Sequence, residues 1–291
     1  LLLEEWDKLR ELMWSQNCVI SPKGFIINVH KIALKKDREI FTGFTQNDLP
    51  EFLMFLIDSF HEALSRKVTI QINGVIKNEE DKIAKSCYEM MKRMYEREYS
   101  EILKYFYGIQ VSYLKDLDNN VKSQNPEPYF ILNLPIPQDK KQPNIYDCLD
   151  LYTLTERMDG DNKWYDEEVD KKIVVDKKTE FFSFPEVLVI DFKRFNNSLR
   201  KNQILIDFPL EKLDLRKYVI GYNKDSYVYD LYGVCNHSGG VQGGHYTAYI
   251  KNPNQKWYLY NDTRVTEVKE SEVVSPKAYC LFYRKVKPLK I

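Results

Sequence analysis

An excess of charge of either sign is missing from this sequence of 291 residues: Lys plus Arg number 43 and Asp plus Glu number 43. With no net basic field there is no electrostatic footprint for nucleic-acid binding. Apolar runs long enough to span a membrane are absent, since such a span needs roughly 20 residues. Leu1-Leu2-Leu3 gives way at once to Glu4-Glu5-Trp6-Asp7, which is not the pattern of a secretory leader. Cysteine is sparse. Cys18, Cys87, Cys148, Cys235 and Cys280 are odd in number, widely spaced and never arranged as C-x-x-C. They read as reduced thiols of an intracellular protein, cytoplasmic or nuclear, and not as a disulfide framework. Only four histidines are present. Internal repeats and low-complexity tracts are lacking too.

Aromatics are plentiful, with 21 Tyr and 15 Phe. They suit a Tyr-rich core, or a surface that holds an extended peptide. Hydrophobic residues make up 43% and charged ones 30%, the balance of a folded globular chain with a large core.

Helical periodicity comes first along the chain. Leu2, Trp6, Leu9, Leu12 and Met13 share one face, and Phe25 to Leu34 forms a second helix beyond Ser21-Pro22-Lys23-Gly24. A third starts after Asn47 or Asp48, with Pro50 in a first turn that needs no backbone donor. Its expected buried stripe is Phe52, Leu56, Phe60, Ala63 and Leu64. Val68 to Ile72 alternates like a strand and ends at the turn signal Asn73-Gly74. Asn78 to Tyr107 reads as one long helix ended by Gly108, carrying Ile83, Cys87, Met91, Met94, Ile102 and Phe106 on its period. Strand patterns follow at 129–134, 179–184, 187–192, 204–208, 227–236, 245–251 and 256–261, and 118–128 reads as a polar loop. Helices first and an antiparallel sheet region second predict an α+β architecture.

One stretch concentrates the chemistry: Cys235-Asn236-His237-Ser238-Gly239-Gly240-Val241-Gln242-Gly243-Gly244-His245-Tyr246. Four glycines in six residues let a backbone approach a ligand closely. A His at the mouth of such a cleft suits a general base. It needs a polar partner to fix its tautomer, and Asn261 or Asp262 can supply one from the next strand.

These motifs resemble the histidine box of ubiquitin-specific cysteine proteases: Gly243-Gly244-His245-Tyr246, then Trp257-x-x-Tyr260-Asn261-Asp262-x-x-Val265. Gln46-Asn47-Asp48-Leu49-Pro50-Glu51-Phe52-Leu53 is similar to the family's Gln-Gln-Asp-x-x-Glu-Phe-Leu block. Asp147-Cys148-Leu149 with Asp159 to Tyr165, and Pro185 to Phe195, resemble two further blocks in the family's order. The resemblance implies one papain-like domain over 1–291: a helical thumb part in 1–107, mainly fingers in 108–184, and mainly palm in 185–291. It implies hydrolysis of the bond after ubiquitin's C-terminal Gly-Gly, with ubiquitin or its conjugates as partner and no cofactor. His245 matches the catalytic base, Asn261 the residue that orients it, and Asp262 a helper. Asp48 matches the acid that binds the ubiquitin tail, and Tyr246, Gly243 and Gly244 line the tail cleft. His237 is placed on the loop that closes over the tail.

Two departures stand out. The family's nucleophile lies in a Gly-x-x-Asn-x-Gly-Asn-x-Cys block, and none occurs here. Cys18, in Ser15-Gln16-Asn17-Cys18-Val19, has an Asn directly before it but lacks both glycines. The nucleophile is therefore expected upstream of residue 1, and a non-catalytic ubiquitin-binding member is the alternative. Where many relatives carry two zinc-binding C-x-x-C pairs, this chain has Tyr113, Asp116, Asp166 and Val169. The expectation is metal-free fingers held by strand pairing and apolar packing alone.

Overall fold

The computed structural model describes residues 1–15, 19–43, 45–196, 198–241 and 243–286; Cys18 lies outside them. Helices α1 (Leu2–Ser15), α2 (Lys23–Lys35) and α3 (Leu49–Leu64) pack around Leu2, Val29, Ala33, Phe41, Phe55 and Phe60. The buried residues of α3 are Phe55, Ile57, Ser59 and Phe60, while Ala63 and Leu64 are exposed, contrary to the expected stripe. The reason is that α3 faces two ways. Phe55 and Phe60 enter the helical core, and Ile57 meets Phe130, Val189 and Cys280 of the sheet region.

The expected strand at 68–72 does not form. That segment runs without regular structure and finds no neighbouring strand to complete a ladder. The expected long helix is two, α4 (Glu79–Tyr95) and α5 (Glu101–Phe106). The break falls where Tyr99 and Arg66 exchange backbone hydrogen bonds, both 2.9 Å, so Tyr99 is extended and not helical. Ser100, in front of α5, accepts no capping bond from the helix, and its Oγ lies 2.7 Å from His61 Nδ1.

Gly108 opens a strand instead of merely ending a helix. Strands β1 (Gly108–Lys115) and β2 (Val121–Tyr129) form a hairpin, and β3 (Ile131–Leu134) follows. The segment read as a polar loop is therefore mostly β2, an edge strand carrying Pro126 and Pro128. An edge tolerates proline and polar side chains on both faces, which is why the usual strand signals are weak there. Next come α6 (Ile145–Tyr152), β4 (Glu156–Met158), β5 (Trp164–Asp166), β6 (Lys171–Ile173), β7 (Val175–Ser183) and β8 (Val187–Phe192). The last elements are β9 (Leu213–Asp214), β10 (Val228–Gly240), β11 (Gly243–Lys251), β12 (Trp257–Asn261), β13 (Arg264–Val268) and β14 (Ala278–Lys285).

Three sheets result. A four-stranded sheet has the order β2-β1-β7-β4, and β5 pairs only with β6. The large sheet runs β13-β12-β11-β10-β14-β8-β3, with β9 beside β10. All its pairings are antiparallel except β3 with β8. The main core lies on this sheet and includes Leu132, Leu149, Phe181, Leu188, Ile190, Tyr229 and Tyr283.

Residues 204–208 alternate as expected, with Ile206 and Phe208 buried, yet make no strand. A buried arginine takes the Ile204 carbonyl, and the Asp207 backbone bonds to Pro143 and Ile145 instead of to a strand ladder. Arg194 donates from Nη1 to Asn202 O and Ile204 O, each at 3.0 Å, and from Nε to Ala278 O at 2.7 Å. It is 1% exposed. Arg194→Leu should strand three carbonyls and cost on the order of 3 kcal/mol or more. Urea unfolding of the variant measures this, and a loss under 1 kcal/mol would rule out the tie.

Candidate active site

The glycine-rich stretch is not a broad loop. β10 and β11 stay paired out to Gly240 and Gly243, with Gly239 opposite Gly244 and Ser238 opposite His245. Gly239 takes φ +117, where a side chain is strained, and a Cβ there would also meet Gly243 O at 2.5 Å. A Cβ on Gly244 would run into the ring of His237. Narrowness at this hairpin thus depends on two missing side chains. Gln46, ahead of α3, clamps the hairpin by accepting from Gly244 N–H at 2.6 Å.

His245 is the third residue of β11, and its side chain is 51% exposed. Its Nε2 lies 2.7 Å from Asn261 Oδ1 at the end of β12. An amide oxygen only accepts, so Nε2 carries the proton and Nδ1 is left as the basic nitrogen. Asp262 Oδ2 stands farther off, 3.9 Å from Nε2. Asp262 has φ 51 in the turn between β12 and β13, a position that Asp tolerates better than most residues. The fold therefore brings His245, Asn261 and Asp262 together, with Asn261 in direct contact.

Asp48 precedes α3 but does not cap it with its side chain. Its Oδ2 accepts from Tyr279 Oη at 2.9 Å, while Tyr246 Oη accepts from Leu49 N–H at 3.4 Å. The acid is thus held at the cleft wall, partly exposed, next to Tyr246. Burial, with Asp48 as a lesser cause, pushes both tyrosine hydroxyls well above their ordinary range, so both remain protonated.

His237 differs from its expected placement. It is not on a covering loop but within β10 and 6% exposed. Its ring packs against Phe195, Tyr246 and Tyr279, with ring centroids 4.7–6.0 Å away. Lys201 Nζ lies 3.0 Å from His237 Nδ1. Burial and then the Lys201 charge pull the imidazole below its usual range. His237 is a neutral wall of the cleft.

Behind this wall Asp191, on β8, is 4% exposed, and its Oδ1 has no hydrogen-bond partner. Burial, then the charge of Asp48, raise its carboxyl to about 8. Sequence reasoning missed Gln46, Lys201, Asp191 and Tyr279. Gln46 was within reach, because it heads the block that contains Asp48.

None of the four described cysteines hydrogen-bonds to His245. Burial pushes Cys87, Cys148 and Cys235 up to about 12, and Cys280 higher still. Thiols so displaced are poor nucleophiles at neutral pH.

Comparison with known proteins agrees with this geometry. A family model described as ubiquitin carboxyl-terminal hydrolase matches residues 2–283. Ubiquitin carboxyl-terminal hydrolase 2 of Gallus gallus is 35% identical over 294 residues, covering 99% of this chain and 81% of the relative. The Homo sapiens protein of the same name is 35% identical over 295 residues, and the chain spans 48% of its length. Among solved structures, the SAGA Ubp8/Sgf11/Sus1/Sgf73 DUB module bound to ubiquitin aldehyde is similar at a TM-score of 0.68 and 25% identity, over 94% of this chain and 56% of that one. The α+β arrangement of helices followed by a largely antiparallel sheet is the papain-like fold of thumb, palm and fingers. On the match across nearly its whole length, the chain belongs to the ubiquitin carboxyl-terminal hydrolase family.

Proposed function

We propose that this chain supplies the tail cleft and the acid–base machinery of a deubiquitinating cysteine protease, which cleaves the isopeptide or peptide bond after ubiquitin's last glycine. The observation that carries this reading is the 2.7 Å contact from His245 to Asn261 at the mouth of a glycine-lined hairpin. In the proposed reaction Nδ1 of His245 takes the proton of a thiol supplied from upstream of residue 1. The thiolate attacks the carbonyl carbon, and His245 returns the proton to the leaving amine. Water then attacks the acyl-thioester with His245 again as base, releasing the carboxylate and restoring the thiol. Asp48 accepts hydrogen bonds from the tail backbone, and Gly243, Gly244 and Tyr246 flank the tail. The protein works inside the cell, in cytoplasm or nucleus.

The test is turnover of a ubiquitin–fluorophore conjugate by the longest natural form of the protein. Hydrolysis that a thiol-alkylating reagent stops supports the reading. Ubiquitin binding without turnover would make the chain a ubiquitin-binding module instead. A ubiquitin-based electrophile should label none of Cys18, Cys87, Cys148, Cys235 or Cys280.

Asn261→Ala should slow that turnover tenfold or more, a barrier increase of about 1.4 kcal/mol or more. An amide fixes the imidazole through its oxygen without neutralising an imidazolium, so Asp262 assists only through its charge. Steady-state kinetics of the two alanine variants decides the roles. A larger loss from Asp262→Ala would reverse them.

A further inference from the structure

The tip of the fingers is tied down in a way the sequence does not suggest. β5 and β6 share no ladder with either larger sheet. No residue from Thr153 to Glu180 belongs to a buried apolar cluster. The β6 end of the hairpin runs through Val174 straight into β7, but among the described residues neither strand pairing nor a shared apolar cluster fastens its turn to the four-stranded sheet. Yet Asp166, at the end of β5, is 1% exposed. Its Oδ1 accepts from Glu168 N–H at 3.0 Å and so shapes the hairpin turn. Its Oδ2 has no hydrogen bond, only an ion pair with Lys122 Nζ at 3.3 Å. Lys122 stands near the start of β2, on the other sheet. Asp166 foremost, then Glu168 and Asp116, hold its ammonium above the ordinary lysine range. Asp116 in turn organises the β1–β2 turn by accepting from Asp118 N–H and from the Asn120 backbone and side chain at 2.9–3.0 Å.

Two turns are thus each built on a carboxylate, and one lysine bridges them. Among the described residues this pair is the one polar side-chain tie between the hairpin and the four-stranded sheet. Removing either partner leaves the other without its counter-charge, and for Asp166 that means a buried carboxylate. The opposed charges fasten the turn end of the hairpin to β2.

We propose that Lys122 and Asp166 are positioning residues for ubiquitin recognition, their ion pair fixing the hairpin against the finger sheet so that both present one continuous binding surface. This rests on the reading that ubiquitin is the ligand.

The experiment combines amide hydrogen exchange with ubiquitin titration of the whole chain. Lys122→Met and Asp166→Asn should each speed exchange at Tyr165 to Ile173 at least tenfold, leaving the palm amides unchanged. Each should weaken ubiquitin binding about tenfold. Lys122→Arg should preserve both properties, and the charge reversal Lys122→Asp with Asp166→Lys should recover part of both. Unchanged exchange in the two single variants would overturn the tie. Faster exchange with unaltered affinity would overturn the positioning role. Failure of the unaltered chain to bind ubiquitin would sink the ubiquitin reading instead, and the exchange data would still decide whether the pair holds the hairpin.

Discussion

His245→Ala should abolish hydrolysis of ubiquitin conjugates in the longest natural form of the protein while leaving ubiquitin affinity largely intact. The base acts twice in each turnover, once on the thiol and once on the leaving amine or attacking water. Loss of a positioned general acid–base group costs about 10²–10⁴-fold, and here the nucleophile loses its activation as well. Binding should survive, because the side chain is half exposed and the Gln46 and Asp48 contacts use Gly244 N–H and Tyr279 Oη, not the imidazole. Turnover within tenfold of the parent, measured under single-turnover conditions, would refute the assignment. A large fall in affinity would show that His245 supports the cleft and does not only serve the chemistry.

Asp191→Asn should stabilise the protein at neutral pH. The folded-state carboxyl titrates near 8, against 3.8 as the ordinary value, because it is buried and faces Asp48. The folded state therefore keeps a proton that the unfolded chain releases. For an acid whose pKa is raised on folding, stability is full below about pH 4 and falls as pH rises toward 8. Each unit of pKa displacement is worth about 1.4 kcal/mol, so the loss approaches an upper bound of about 5 kcal/mol at pH 8. Asparagine has nothing to ionise and escapes this term. Urea unfolding of both proteins from pH 4 to pH 8 should show a gap that opens steadily in favour of the variant, on the order of several kcal/mol at the top of the range. Parallel curves would mean that Asp191 titrates normally.

Asp191 also shows where the sequence stops being informative. It stands in Val187–Phe192, a strand whose bounds the sequence predicts as found. Nothing in that run of apolar residues says that its one acid turns toward Asp48, 143 positions earlier in the chain. Elements with strong local signals were legible: α1, α2, the start of α3 at Asp48, and the pairing of His245 with Asn261 across β11 and β12. Features set by distant partners were not. Residues 204–208 have strand alternation, but Arg194 takes the Ile204 carbonyl and the Asp207 backbone bonds to Pro143 and Ile145. The helix over 78–107 breaks because Arg66 claims the backbone of Tyr99. β2 hides behind two prolines that only an edge position permits. His237 lies in a segment rich in glycine, and β10 extends farther into that segment than glycine propensity suggests, so a residue read as part of a loop becomes part of a wall.

The most direct measurement of the central claim is a titration of the chain, residues 1–291, with ubiquitin and with ubiquitin lacking its last two residues, followed calorimetrically. One-to-one binding is expected that weakens at least tenfold when the two glycines are removed, and similarly for Asp48→Ala with intact ubiquitin, if the tail binds at Asp48 and the β10–β11 hairpin as proposed. Equal affinity for intact and truncated ubiquitin, or no binding of either, would contradict it.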